Sequence, residues 1–386
     1  VVDRRGPDPV PENDSHGEFI YLIRTYFNYT HDSLFVRAYY PQVCKAVGYI
    51  EELIAQRSTD RYCSTTDSLR IFYGLLPESI SHEGYSAKPM HSYWDDFWGL
   101  RGLKDAAEIA RIVGDSVEAG RIGMIRDTFR TNLIQSIQRS VVRHGIDYIP
   151  GCAELGDFDA TSTTIALYPV GETAHLPQSL LRNTFERYYR FTEDRATGRI
   201  DWENYTPYEV RTIGSFILLD QPQRAHQLID RFVKDRRPAG WNHWAEVVWK
   251  DPRLARFIGD MPHTWVGSDF INSIRMMFVY ENEEDTSLII GAGLVPAWID
   301  DPAGISLENL PTYYGDLSYS IRKLDDRRYR ITLEGIPRIP AGGLVLKNFN
   351  AGRMPHQVEV NGQSLSGFRG DRITIAVCPA EIVITY

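Results

Sequence analysis

Two adjacent carboxylates, Asp95 and Asp96, stand inside the run Tyr93-Trp94-Asp95-Asp96-Phe97-Trp98. A helix that begins there holds both over its positive N-terminal end. Apolar rings around a carboxylate raise its pKa, which a general acid needs. The plain alternative is that both are first-turn acids favoured by the helix dipole. Just upstream, residues 74–91 carry Glu78, His82, Glu83, Tyr85 and His91. Glu83 is a further proton-donor candidate. Tyr85, His91, Trp94 and Trp98 could grip and stack on a ligand.

A second segment, Trp241-Asn242-His243-Trp244-Ala245-Glu246, combines two indoles, an amide, an imidazole and a carboxylate within six positions. Polar groups that hold hydroxyls and indole faces that stack on a ring suit a sugar; an ordinary amphipathic turn packing two tryptophans is the alternative. Third comes Asp260-Met261-Pro262-His263-Thr264-Trp265, where a loop enters a helix and offers His263 and Trp265. Fourth is Gly156-Asp157-Phe158-Asp159-Ala160-Thr161-Ser162, where Asp159 most simply caps a helix. Fifth is Trp202-Glu203-Asn204-Tyr205-Thr206-Pro207-Tyr208-Glu209, whose Pro207 marks a helix start.

The elements that must position these groups are helical up to about residue 280. The periodicity predicts helices over 18–30, 33–55, 94–113, 117–143, 160–168, 177–195, 206–219, 222–237 and 264–279, with Gly114 as a stop. Residues 57–93 are polar and broken by Gly74, Pro77, Gly84 and Pro89, a length that suits a functional loop. From about residue 283 the period becomes 2. Strands are expected at 287–294, 317–324, 328–333, 343–348, 358–360, 373–377 and 382–386, with Asn361-Gly362 as a hairpin turn. The expected division is therefore 1–282, helical, and 283–386, a small antiparallel β-sandwich without catalytic residues.

Composition narrows the function. Lys and Arg number 42 against 51 Asp and Glu, a net charge of −9, and no basic block exists, so nucleic acid is excluded as a partner. No apolar run is long enough for a membrane span. The four cysteines, Cys44, Cys63, Cys152 and Cys378, lie far apart and form no zinc pattern. Nucleophile-elbow, P-loop and H-E-x-x-H signatures are missing. No metal or cofactor is expected.

The run Tyr93–Trp98, the small-residue stripe Leu103, Ala106, Ala107, Ile109, Ala110 and Gly114, the stretch Asn28–Pro41, and Met261-Pro262-His263-Thr264-Trp265 together resemble the six-hairpin glycosidases. These are the glucoamylase-, trehalase- and rhamnosidase-like enzymes. The β-rich tail is similar to the sandwich that often follows their barrel. The resemblance implies an (α/α)6 toroid acting on oligo- or polysaccharide with two carboxylates, by an inverting mechanism. Asp95 would be the acid, with Asp96 or Glu83 as substitutes, and Glu246 the base. About nine helices are visible where the ring has twelve, so either an upstream portion of a longer precursor is expected or the periodicity misses some helices. A secreted or periplasmic location is expected. Two alternatives stay open. One is a polysaccharide lyase using Tyr85, His91 or His263; the other is a carbohydrate-binding protein without catalysis.

Overall fold

The computed structural model describes residues 12–63, 67–81, 84–85, 87–236, 239–251, 253–254, 261–350, 352–368 and 370–386. Glu83 and Asp260 lie outside them. The chain divides into two compact units, residues 1–192 and 193–386. The expected junction at 282–283 falls inside the second.

The first unit is helical. It contains α1 (Ser15–Thr30), α2 (Ser33–Arg57), the short α3 (Asp60–Cys63) and α4 (Asp67–Arg70), α5 (Tyr93–Val113), α6 (Ser116–His144), α7 (Ala160–Leu167) and most of α8 (Gln178–Ala196). Caps define the ends. Asp32 accepts from Leu34 and Phe35 N–H, Asp115 from Glu118 N–H, and Asp159 from Thr161 and Ser162 N–H. Gly114 closes α5 in the left-handed conformation that glycine adopts without strain (φ 90°).

Helix α5 is the axis of this unit, packed by α1, α2, α6 and α7. Its first eleven residues, Tyr93–Leu103, are all buried. Small residues permit this. A Cβ on Gly102 would stand 2.7 Å from the Gly17 Cα, and one on Gly17 only 2.0 Å from the Trp98 carbonyl oxygen, so α1 and α5 meet backbone to backbone. Leu100, Leu103, Ala106, Ala107, Ile109 and Ala110 bury the expected stripe. Each large aliphatic side chain buried contributes about 1.5–3 kcal/mol.

The second unit begins with β1 (Asn204–Tyr205), a 3-10 turn (Pro207–Val210), α9 (Arg211–Leu218) and α10 (Pro222–Lys234). Then come β2 (Val248–Trp249), paired with β1, and α11 (Thr264–Phe278). Helix α11 runs straight into β3 (Val279–Asn282), followed by β4 (Ser287–Ile290), α12 (Pro296–Ile299), β5 (Ile305–Thr312), β6 (Gly315–Lys323), β7 (Arg328–Glu334), β8 (Leu344–Lys347), β9 (Gln357–Val360), β10 (Gln363–Ser364), β11 (Arg372–Ile375) and β12 (Ala380–Thr385). Six strands form one sheet in the order β10-β9-β12-β7-β6-β5, and four another, β11-β8-β4-β3. Alternate residues such as Leu317, Tyr319, Ile321, Ile331, Leu333 and Ile382 share one apolar core with Leu288, Ile290, Leu344 and Leu346. The sandwich is mixed rather than purely antiparallel, because β4 and β8 run parallel.

Candidate functional site

The N-terminal end of α5 is assembled by three segments. The Ser79–Met90 bridge folds the preceding loop back on itself, and the Ser92–Cys152 bridge ties it to the loop before α7. Tyr93 N–H donates to the Gly151 carbonyl at 3.0 Å, and Ala153 N–H to that of His91 at 3.0 Å. The first and fourth sequence segments thus become neighbours.

Asp95 and Asp96 do not face a cleft. Asp95 is 1% exposed. Its Oδ2 accepts from the Ser79 hydroxyl at 2.5 Å and its Oδ1 from Ser81 at 3.0 Å. Burial, and next the charge of Asp14, push its pKa up to about 8 against the pull of the serine hydroxyls. Asp96 is fully buried. Its Oδ1 accepts Leu76 N–H at 2.9 Å, and its Oδ2 has no partner among the described residues. Burial raises its pKa well above the usual carboxylate range. Trp94 and Trp98 are likewise interior, with the Trp94 indole N–H given to Asp14 at 2.9 Å. The expectation of an open aromatic platform fails at these two rings because α1 and the 74–81 loop cover this end of α5.

Carboxylates that water can reach stand beside this buried pair. Glu154, which the sequence reading passed over, is 21% exposed at its side chain. It accepts from the backbone N–H of His91 with both oxygens at 3.1 Å, and its Oε1 lies 2.6 Å from His91 Nδ1. Arg57 Nε donates to His91 Nε2 at 2.9 Å, which leaves Nδ1 as the protonated nitrogen. Burial lowers the His91 pKa, with Arg57 adding to the fall and Glu154 opposing it. Phe72 stacks on the ring at 4.2 Å, and Arg57 also pairs with Glu78. His91 is therefore a buried, neutral brace rather than a surface that touches ligand. The only hint in sequence was the position of Glu154 two residues before the fourth segment.

Asp157 joins this group. Its Oδ2 accepts the Tyr85 hydroxyl at 2.9 Å and its Oδ1 the Cys152 N–H at 3.2 Å. Burial and the nearby Cys152 and Asp157 push the Tyr85 phenol far up. Gly151 makes room, since a Cβ there would stand 2.7 Å from the Tyr85 hydroxyl and 2.8 Å from Asp157 Oδ2.

The second unit gathers the other three segments. Pairing of Asn204 with Trp249 and Tyr205 with Val248 joins the second to the fifth. His243 packs against Gly267 of α11, where an added Cβ would lie 3.3 Å from its Nε2. His263 caps α11 and is hydrogen-bonded to Tyr208, whose ring meets Trp265 edge-on at 5.7 Å. Arg211 lies over both Tyr208 and Trp265 and pairs with Asp269. Trp241 is 62% exposed, and Asn242, held by Arg236, turns through φ 53°. Trp244 departs from the expected platform: it is buried on Phe270, with its indole N–H given to the Phe232 carbonyl. Glu246 is half-buried. Its backbone carbonyl accepts from Thr206 at 2.9 Å, and its carboxylate has no partner among the described residues.

Among the described residues no group of three or more His, Cys, Asp or Glu could hold a metal ion. No described helix is long and apolar enough to cross a membrane.

No family model matches the chain, and no curated protein matches it in sequence. Solved structures do match. An α-L-rhamnosidase from Dictyoglumus thermophilum is 10% identical over 97% of this chain and 40% of its own, with a TM-score of 0.49. A GH78 family rhamnosidase of Bacillus sp. GL1 is 13% identical over 83% of this chain and 32% of its own, with a TM-score of 0.51. The chain spans less than half the length of either. At that identity the likeness is one of fold: a helical portion followed by β-sheets, similar to that of the GH78 rhamnosidase.

Proposed function

We propose that the chain belongs to a glycoside hydrolase acting on oligo- or polysaccharide with two carboxylates. The fold shared with the GH78 rhamnosidase supports the class. The observation that carries the chemistry is Glu154: part-exposed, at the end of α5, and fixed by the backbone and ring N–H groups of His91. A general acid must reach the leaving oxygen, and Asp95 is shut off from it. Glu154 reaches solvent, and the His91 N–H groups fix its orientation. We therefore move the acid from Asp95 to Glu154. Within the second unit Glu246 stays the base expected from the sequence, beside Trp241, Asn242, His243, His263 and Trp265 as candidate sugar contacts, and it is tested separately from Glu154. The lyase alternative is weakened because the Tyr85 phenol, pushed far up, is a poor source of the phenolate such a base requires.

The name of the GH78 neighbour makes rhamnosides the first to try, followed by a panel of other glycosides. Glu154→Gln should slow hydrolysis of alkyl glycosides by roughly 10²–10⁴-fold, and that of aryl glycosides with good leaving groups far less. Equal loss on both makes Glu154 a binding residue. An unsaturated product absorbing in the near ultraviolet would replace hydrolysis with elimination.

A further inference from the structure

The short β1–β2 ladder does more than brace the second unit. It holds the residues before β1 against those after β2, with Lys250 N–H donating to the Glu203 carbonyl at 2.8 Å. Between them runs an open groove of about 710 Å³ lined by Asp201, Trp202, Glu203, Lys250, Asp251 and Leu254. That volume is in the range of small-molecule sites. We propose that this groove is a binding subsite for a neutral pyranose ring, stacked on Trp202.

Four features fit that ligand. Trp202 is half-buried; Tyr205 meets its ring edge-on at 5.6 Å, and the Lys250 ammonium lies over it at 6.0 Å from the ring centroid. A flat indole against a sugar's C–H face is the apolar half of carbohydrate recognition. The rim is rich in hydrogen-bond acceptors from Asp201, Glu203 and Asp251, and a carboxylate accepts both protons of a vicinal diol. Lys250 is ion-paired with Asp201, and Arg253 pairs with Asp251 through both nitrogens at 2.9 and 2.7 Å. These two pairs leave Glu203 exposed and without a side-chain partner among the described residues. Three carboxylates against two cations give the rim a net charge of −1, which disfavours uronates and phosphates. The subsite does not depend on the glycosidase assignment, since binding and hydrolysis are measured separately.

The full chain labelled with fluorotryptophan provides the test. The Trp202 fluorine resonance is identified by its loss in Trp202→Phe. The label is titrated with D-mannose, D-galactose, D-glucose and L-rhamnose, and then with D-galacturonate and putrescine. The proposal expects a saturable shift of the Trp202 resonance with at least one neutral sugar, and weaker binding in Glu203→Gln by about 5-fold, one hydrogen bond's worth. The exposed Glu203 makes that variant a safe check where Trp202→Phe perturbs the fold. Three outcomes overturn it: no neutral sugar moves the resonance, galacturonate or putrescine binds tighter than every neutral sugar, or Glu203→Gln binds as well as the parent. The same titration on Glu154→Gln protein shows binding without turnover.

Discussion

Replacing Asp95 by Asn should stabilise the protein at neutral pH, and by more the higher the pH. In the folded chain Asp95 holds its proton up to about pH 8, whereas in the unfolded chain it loses it near the ordinary aspartate value of 3.8. Between those values the native state binds the extra proton, so its stability falls as pH rises, and levels off above the folded pKa. Asn keeps the shape of the protonated acid and never ionises. From roughly pH 4.5 to 7.5 the fall amounts to about 3 pH units, or about 4 kcal/mol. Asp95 is fully buried, so solvent screening does not reduce this. For a unit of this size about 4 kcal/mol corresponds to roughly 8–16 °C in melting temperature. Urea unfolding followed by the near-ultraviolet circular dichroism of the buried tryptophans, on parent and Asp95→Asn across that pH range, reads the difference directly. A difference that stays flat or shrinks with rising pH would refute the reasoning. It would mean that Ser79 and Ser81 hold an anion rather than a neutral acid.

Other outcomes follow from the same geometry. Gly102→Ala should cost about 1–3 kcal/mol in urea unfolding, since its Cβ would press on the Gly17 backbone across the α1–α5 crossing. Asp159→Ala removes the cap of α7 and should cost about 1 kcal/mol, seen as earlier amide exchange at Thr161 and Ser162. Glu246→Gln should abolish glycoside hydrolysis while leaving sugar affinity, measured by calorimetry, nearly intact; normal turnover would remove Glu246 from the reaction.

Local signals were legible where the physics is local. Asp159 announces a helix start and Gly114 a stop, and each acts so. The Asn361-Gly362 turn takes positive φ at both residues, as its composition predicts. Strand β5 was missed because Pro311, a positive φ at Asn309 and a register shift between Leu307 and Leu310 break its alternation. The site was harder to read. Aromatic rings beside Asp95 look the same in sequence whether they line a cleft or a core. What decides is Gly17, far away in the chain, which lets α1 settle over α5. Glu154 was missed for the converse reason: its neighbours in sequence are ordinary, and its bond to His91 bridges 63 positions.

The direct passage from α11 into β3 bears on how the protein can be divided. Val279 is at once the C-cap of the helix and the first rung of the four-stranded sheet, paired with Ile290 and buried in the sandwich core. A fragment begun at residue 283 would lack β3 and leave the outer backbone groups of β4 as a bare edge, a template for pairing between chains. One residue inserted at Phe278 would turn Val279 and Glu281 to the opposite faces of the sheet and swing the Arg275–Glu281 pair apart. Fragments of the β portion meant to stay monomeric should therefore start no later than Thr264 and carry the whole helix with them.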